Sequence, residues 1–174
     1  MFPKKKFVMD IDLPKHVLTK EMFNKGEIFI LSPWIKIHDI KIDLFINSRS
    51  MMEMNYESIF KYFKIIHKNV SKNGYFLCIN RYYKDLVGYP IEFHRYPFKN
   101  NWKTLISKQS WMQPHIHFLF VKKVIKKNSN ILSTLDVIKK NYIKIVKTDI
   151  FIFRRLMPIN FYRNYKLVKN FLFK

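Results

Sequence analysis

Two short polar segments carry the residue types and spacing that could bind a ligand. NSRS at 47–50 follows an apolar run at 42–46, and NRY at 80–82 follows another apolar run at 75–79. Amide and hydroxyl groups donate and accept hydrogen bonds, and arginine balances a carboxylate. If the apolar runs are neighbouring parallel strands, both segments lie at the carboxyl edge of the sheet, where open α/β sheets bind ligands. The sequence therefore predicts one polar crevice formed by both segments.

The elements that would position these segments follow each other without a break. The run at 42–46 leaves little room for a solvated face, which is typical of a parallel strand covered on both sides. Apolar residues at three- and four-residue spacing predict a helix over 56–70. Asn73-Gly74 is expected to end the helical region, because glycine tolerates the left-handed conformation found there. The run at 75–79 is then the second buried strand.

The order of these motifs resembles one protein family. NSRSMMEM, then GYFLCINRYYK about one helix later, then YPFKNNWK, look like the sugar O-methyltransferase family of bacterial polysaccharide loci. That family is a branch of the class I S-adenosylmethionine-dependent methyltransferases. Upstream, FVMDIDLPKHVL resembles its second strand and IFILSPWIKI the strand before NSRSMMEM; downstream, IHFLFVKK resembles one of its final strands. The likeness extends over residues 7–122.

The resemblance implies a fold, a reaction and a cofactor. The fold would be a partial doubly wound, Rossmann-like α/β sheet in residues 1–127. The reaction would transfer a methyl group from S-adenosylmethionine to a sugar hydroxyl in surface polysaccharide biosynthesis. Asp12, followed by Leu13, takes the position that binds the cofactor ribose, although a helix N-cap or turn residue before Pro14 fits equally well. Asn47 and Ser48 are expected near the methyl donor.

The acceptor and the transferred proton need further residues. Arg81 and Trp102 are the candidates for the sugar or glycan acceptor, and Arg49 could balance a carboxylate of the donor or of Glu53. Glu53 is a candidate general base, which must reach the hydroxyl within about 3 Å. It also stands near a helix start, where the helix dipole stabilises an acidic residue without any catalytic role.

Two histidines offer an alternative base. His115 and His117 are two residues apart, and in a strand this spacing puts both on one face. The unperturbed pKa of histidine, near 6.5, suits proton transfer. A metal site needs three or four converging ligands, and no acidic residue lies close in sequence, so no metal is expected.

The glycines depart from the family pattern. A class I methyltransferase uses a glycine-rich turn after its first strand, where the backbone approaches the cofactor. The three glycines are Gly26, Gly74 and Gly88, and none precedes Asp12. The first strand, this turn and the first helix are therefore expected to be missing. Either the chain is truncated or inactive, or a second chain completes the sheet, since a central strand would otherwise be exposed.

Composition sets the remaining limits. The net charge of +21 comes from 33 Lys and Arg against 12 Asp and Glu. Lysine dominates and is spread along the chain without a base-reading element, which disfavours nucleic acid as a partner. A non-catalytic basic protein that binds nucleic acid or an anionic envelope surface is nevertheless the alternative function. The single Cys78, the lack of a secretory signal and the lack of a long apolar run predict a cytoplasmic location.

The last part of the chain differs in character. Residues 128–174 are expected to form a basic, amphipathic helical extension, with a helix over 131–147. The aromatic and basic tail around Pro158 could rest on an anionic membrane surface. A helix that packs back on the domain is the favoured alternative, because short isolated helices are unstable.

Overall fold

A computed structural model describes most of the chain, with gaps near both ends. The described residues are 6–9, 11, 13, 17–22, 28–31, 35–37, 40–84, 90–125 and 129–156, with the backbone alone for 146–156. They form the strands β1 (Phe7–Met9), β2 (Val17–Leu18), β3 (Ile28–Ile30), β4 (Lys36–Ile37), β5 (Ile42–Ser48), β6 (Val70–Arg81), β7 (Tyr83–Lys84), β8 (Ile91–Glu92), β9 (Trp102–Gln109) and β10 (Ile116–Lys123), and the helices α1 (Tyr56–Asn69) and α2 (Ile131–Leu156).

A four-stranded mixed sheet is the centre of the protein. Its order is β5-β6-β10-β9. Strands β5 and β6 are parallel, while β10 is antiparallel to both β6 and β9. The mixed α/β class and the parallel pair agree with the sequence prediction. The carboxyl ends of β5 and β6 and the amino end of β10 consequently share one edge of the sheet.

Helix α1 confirms the predicted helix, with a different ending. Asn55 caps it by accepting a hydrogen bond from the Ser58 backbone N–H at 2.8 Å. Its apolar stripe, Ile59, Phe63 and Ile66, is fully buried. The backbone becomes extended at Val70, the first residue of β6, so helix and strand are directly continuous.

Asn73-Gly74 lies inside β6, so its prediction as the end of the helix is wrong. Asn73 does adopt the left-handed conformation, with φ 67°. The pairing of β5 with β6 shifts register at this point, which is typical of a bulge. A Cβ on Gly74 would lie 2.8 Å from Val70 Cγ1 and 3.1 Å from the Asp43 carbonyl oxygen, which explains the glycine.

Both helices pack on the same face of the sheet. Phe63 of α1 packs edge-on against Phe76 of β6 and Phe98, with centroid distances of 5.8 and 4.9 Å. Ile131 and Leu135 of α2 join this core. The first part of α2 therefore packs back on the domain; the tail around Pro158 lies outside the described residues.

The opposite face of the sheet is apolar as well, yet accessible in the part of the chain that the structure describes. Leu44, Ile46 and Ile106 are 49%, 57% and 46% exposed. The strand register extends this surface across all four strands. We call it the open face; its half-buried members are Tyr75, Leu77, Ile79, Phe118 and Phe120.

The residues before β5 form two small parallel pairs, β1 with β3 and β2 with β4. By sequence, residues 16–25 are a short helix candidate that Gly26 would end, but Val17–Leu18 is a strand and Lys20–Met22 a 3₁₀ turn. Pairing with β4 overrides the local helical pattern there. In the described segments, no helix is both long and apolar enough to cross a membrane.

Candidate functional site

The two predicted polar segments meet at the carboxyl edge of β5 and β6. Asn47 pairs in register with Cys78, and Ser48 with Ile79. The side chain of Asn80 donates a hydrogen bond from Nδ2 to Oδ1 of Asn47 at 2.8 Å, and both side chains are buried. The structure thus joins the two segments as the parallel-strand argument requires.

The asparagine pair belongs to a small polar network. Asn47 donates from Nδ2 to the Ser50 hydroxyl, and Asn80 donates a second bond to Cys78 Sγ at 3.2 Å. Asn80 Oδ1 is buried and has no hydrogen-bond partner among the described residues. A buried acceptor without a donor costs about 1–3 kcal/mol. This oxygen is therefore a place where a water molecule or a ligand donor would stabilise the edge.

The loop after β5 holds a strained backbone. Arg49 has φ 64°, a left-handed conformation that costs a non-glycine residue about 1–2 kcal/mol. Its backbone N–H donates to the Ile79 carbonyl at 2.7 Å, which fixes the loop to the end of β6. Such strain is concentrated at binding and active sites. The side chains of Ser48 and Arg49 are exposed.

Glu53 closes one side of this edge. It ends the 3₁₀ turn Met51–Glu53, which is anchored by the buried Met51 and Met52. Its exposed carboxylate forms an ion pair with Lys84, the residue that ends β7. Glu53 is thus held near the exit of β6, but it would have to release this lysine before acting as a base. The sequence gives no sign of Lys84, because the contact spans 31 residues.

Arg81 has a donor available at the same edge. Its side chain is half-buried, and Nε is buried without a hydrogen-bond partner in the described part of the chain. A guanidinium donor without a partner favours an anionic or carbonyl ligand group. Arg81 remains a candidate for acceptor binding.

The two histidines do not share a strand face. His115 precedes β10 and is exposed, while its carbonyl accepts from the Tyr82 N–H at 2.9 Å. His117 is fully buried, with Nδ1 hydrogen-bonded to the Tyr82 hydroxyl at 2.7 Å and Nε2 to the Ser107 hydroxyl at 2.8 Å. Burial lowers the pKa of His117 from 6.5 to about 4. The prediction of a shared face is wrong, and the geometry of His117 indicates a structural residue with no nitrogen left for a substrate.

Trp102 lies at the other end of the sheet. It pairs with Lys123, the last residue of β10, whereas Asn80 pairs with His117. Six residues of strand separate these positions, about 20 Å. Trp102 is fully buried and donates from Nε1 to His67 Nδ1 at 3.1 Å. The assignment of Trp102 to the acceptor beside Arg81 is therefore corrected: it is a core residue.

The two predicted ribose-site residues have different outcomes. Leu13 is buried in an apolar cluster with Leu18, Ile35 and Ile40, so its side chain packs among the small strands. Asp12 lies outside the described residues.

Cys78 is an inert thiol. It is fully buried in β6, and burial raises the pKa of its thiol to about 12. A cysteine of this kind is neither a nucleophile nor a metal ligand at neutral pH. Within the described residues, no three His, Cys, Asp or Glu side chains converge as a metal site would require.

The comparisons with known proteins leave the family open. No protein-family model matches the chain, and a search of the curated proteins finds no match. The candidate site therefore depends on its own geometry: the edge residues are Asn47, Ser48, Arg49, Glu53, Asn80, Arg81 and Lys84.

Proposed function

We propose that this chain forms one wall of a sugar O-methyltransferase of the class I type. The observation that carries the proposal is the contact between Asn47 and Asn80, which joins two adjacent parallel strands at their carboxyl ends. The strand order supports it, because β5 and β6 are adjacent and parallel, as neighbouring strands of a doubly wound sheet are. The motif order NSRSMMEM, GYFLCINRYYK and YPFKNNWK also supports it.

The edge residues fit S-adenosylmethionine in part. Ser48 offers an exposed hydroxyl, and the buried Asn47 and Asn80 keep the edge rigid beneath it. A glycine that permits close approach is not found at this edge among the described residues, since Gly74 lies at the opposite end of β6. We therefore propose that the described residues form one wall of the cofactor site and that a second chain supplies the other.

The same residues have separate roles in the proposed reaction. S-adenosylmethionine supplies an electrophilic methyl group. Arg81 would hold the acceptor sugar through its Nε donor, and Glu53 would take the hydroxyl proton once Lys84 moves away. Most of the rate gain would come from orientation of the hydroxyl, which is how enzymes accelerate in-line displacements.

Calorimetry with S-adenosylhomocysteine, a stable product analogue, tests the proposal on the full chain. We expect binding in the micromolar to millimolar range, weakened about tenfold or more by Asn47→Ala. Gln113→Ala is the matched control, because it removes an exposed amide in the turn before β10. If the chain binds no analogue, or if both variants bind equally, the methyltransferase proposal is wrong for this chain.

A non-catalytic basic binding protein is the second candidate, favoured by the net charge of +21. Retention on heparin that disappears at moderate salt, without sequence preference for DNA, would indicate only generic charge attraction. Retention with sequence preference would support this candidate.

A further inference from the structure

A concave surface at the other end of the sheet combines positive charge with a buried acceptor that has no hydrogen-bond partner among the described residues. It has a volume of about 550 Å³ and lies where β5 and β6 begin and β10 ends. We call it the lysine groove. None of its lining residues is acidic; they are Lys41, Lys68, Val70, Ser71, Lys72, Asn101, Lys123, Val124 and Ile125.

Lys123 is the fixed cation of the lysine groove. Its ammonium donates to the carbonyls of His67 and Val70, each at 2.7 Å. An ammonium has three N–H donors, and the described residues accept two of them, which leaves one donor for a ligand. Burial lowers the pKa of Lys123, and the nearby Lys41 and Lys99 lower it further. An anion in the groove would relieve this repulsion among like charges.

Asn101 needs a hydrogen-bond donor from a ligand, whereas the lysines need an acceptor. Its Oδ1 is buried and has no hydrogen-bond partner in the part of the chain that the structure describes. A carbonyl oxygen needs a donor, which a fully ionised anion does not carry. A ligand that satisfies both Asn101 and the lysines therefore needs a hydroxyl group beside its acid group.

A second cavity of about 550 Å³ adjoins the first and shares Lys68 with it. It offers the ring of Phe60, which is 49% exposed, beside Pro97 and Phe98. Lys64 and Lys99 flank these apolar groups. An exposed ring between cations suits a ligand with one apolar face and a charged substituent.

We propose that the lysine groove binds a small anion that also carries hydroxyl groups, namely a sugar phosphate or a sugar acid. Its volume falls within the range for small-molecule sites. Arginine, the residue preferred for nucleic-acid recognition, is not among the lining residues of either cavity. The lysine groove lies about 20 Å from the Asn47–Asn80 edge and is therefore a separate site, which can be tested apart from methyl transfer.

Calorimetry on the full chain at low salt, with glucose 1-phosphate and glucuronate as probes, tests the groove. We expect dissociation constants of about 0.1–1 mM for at least one probe and no binding of glucose. Lys41→Gln/Lys72→Gln should weaken binding by about fivefold or more. The matched control is Lys108→Gln/Lys140→Gln, which removes two exposed lysines outside both cavities. The probe preferred by the wild type separates a free sugar phosphate from a unit of an acidic polysaccharide.

Asn101→Ala tests the hydroxyl requirement separately. We expect this variant to bind glucose 1-phosphate no better than inorganic phosphate, whereas the wild type prefers the sugar phosphate. Thermal melting of each variant checks the fold; if the double lysine variant is unfolded, Lys72→Gln alone replaces it. Equal losses in the two lysine double variants would overturn the proposal. So would equal wild-type affinity for phosphate and sugar phosphate, or tighter binding of oligouridylate than of either probe.

Discussion

The two faces of the central sheet have similar side chains and opposite surroundings. On one face, Phe76 is fully buried beneath α1 and Phe98. On the open face, Leu44, Ile46 and Ile106 remain about half exposed. A strand that is apolar on both sides is typical of a sheet covered by two layers. This difference indicates that the open face is suited to packing against a further layer of structure, which the described residues do not supply.

The largest expected difference between the faces is in core packing. Phe76→Ala should lower the free energy of unfolding by about 3–5 kcal/mol, because it leaves a cavity in the covered face. Phe120→Ala, in the neighbouring strand on the open face, should cost less than half as much, since the ring is only partly buried. Urea denaturation measures both values. Equal losses would mean that the open face is covered in solution.

Because His117 is buried in the covered face, the stability of the protein should depend on pH. The folded pKa of His117 is about 4 against 6.5 when unfolded, so the unfolded chain binds a proton that the folded chain does not. The free energy of unfolding should therefore fall as the pH drops from 6.5 to 4, by about 3 kcal/mol from this residue.

Urea titrations at several pH values should show this slope reduced in His117→Gln. His67 and His94 have lowered pKa values as well, so a residual slope is expected. If His117→Gln keeps the full slope, the covered face admits water.

A smaller effect is expected where β5 and β6 approach each other. Gly74→Ala places a Cβ 2.8 Å from Val70 Cγ1 and 3.1 Å from a β5 carbonyl, and should cost about 1–3 kcal/mol. Thermal melting measures the loss. Asn73→Gly is the comparison, because it relieves the left-handed φ at the adjacent residue and should leave stability unchanged or raise it. An unaffected Gly74→Ala would show that the bulge can widen freely.

The smallest effect on stability belongs to the open face. Ile46→Lys should change the free energy of unfolding by less than about 1 kcal/mol while reducing self-association, because it charges an exposed apolar surface. Phe45 is in the same strand but lies on the covered side, where its ring centroid is 5.5 Å from that of Phe76. Phe45→Lys should therefore destabilise the protein strongly. Sedimentation and melting separate the two effects. Strong destabilisation by Ile46→Lys would contradict an open face.

Local sequence patterns predicted the secondary-structure elements better than they predicted the contacts that each element makes. The spacing of Ile59, Phe63 and Ile66 is enough to find α1, because burial of one stripe and helical period agree there. The meeting of Asn47 with Asn80 followed from strand direction alone. The hydrogen bonds of His117 depend on the register of β9 against β10. Trp102 begins β9, and because β9 is antiparallel to β10 it lies opposite the last residue of β10, far from Arg81. The pairing register between two strands cannot be predicted from the sequence of either strand alone.

The direct junction of α1 with β6 has a consequence for motion. Val70 closes the last helical turn through its N–H to the Ile66 carbonyl and begins the strand that carries Asn80. Lys123 ties the same junction to β10 through its bonds to His67 and Val70. No flexible residue separates the helix from the strand, so amide hydrogen exchange at this junction should proceed through one cooperative opening of both.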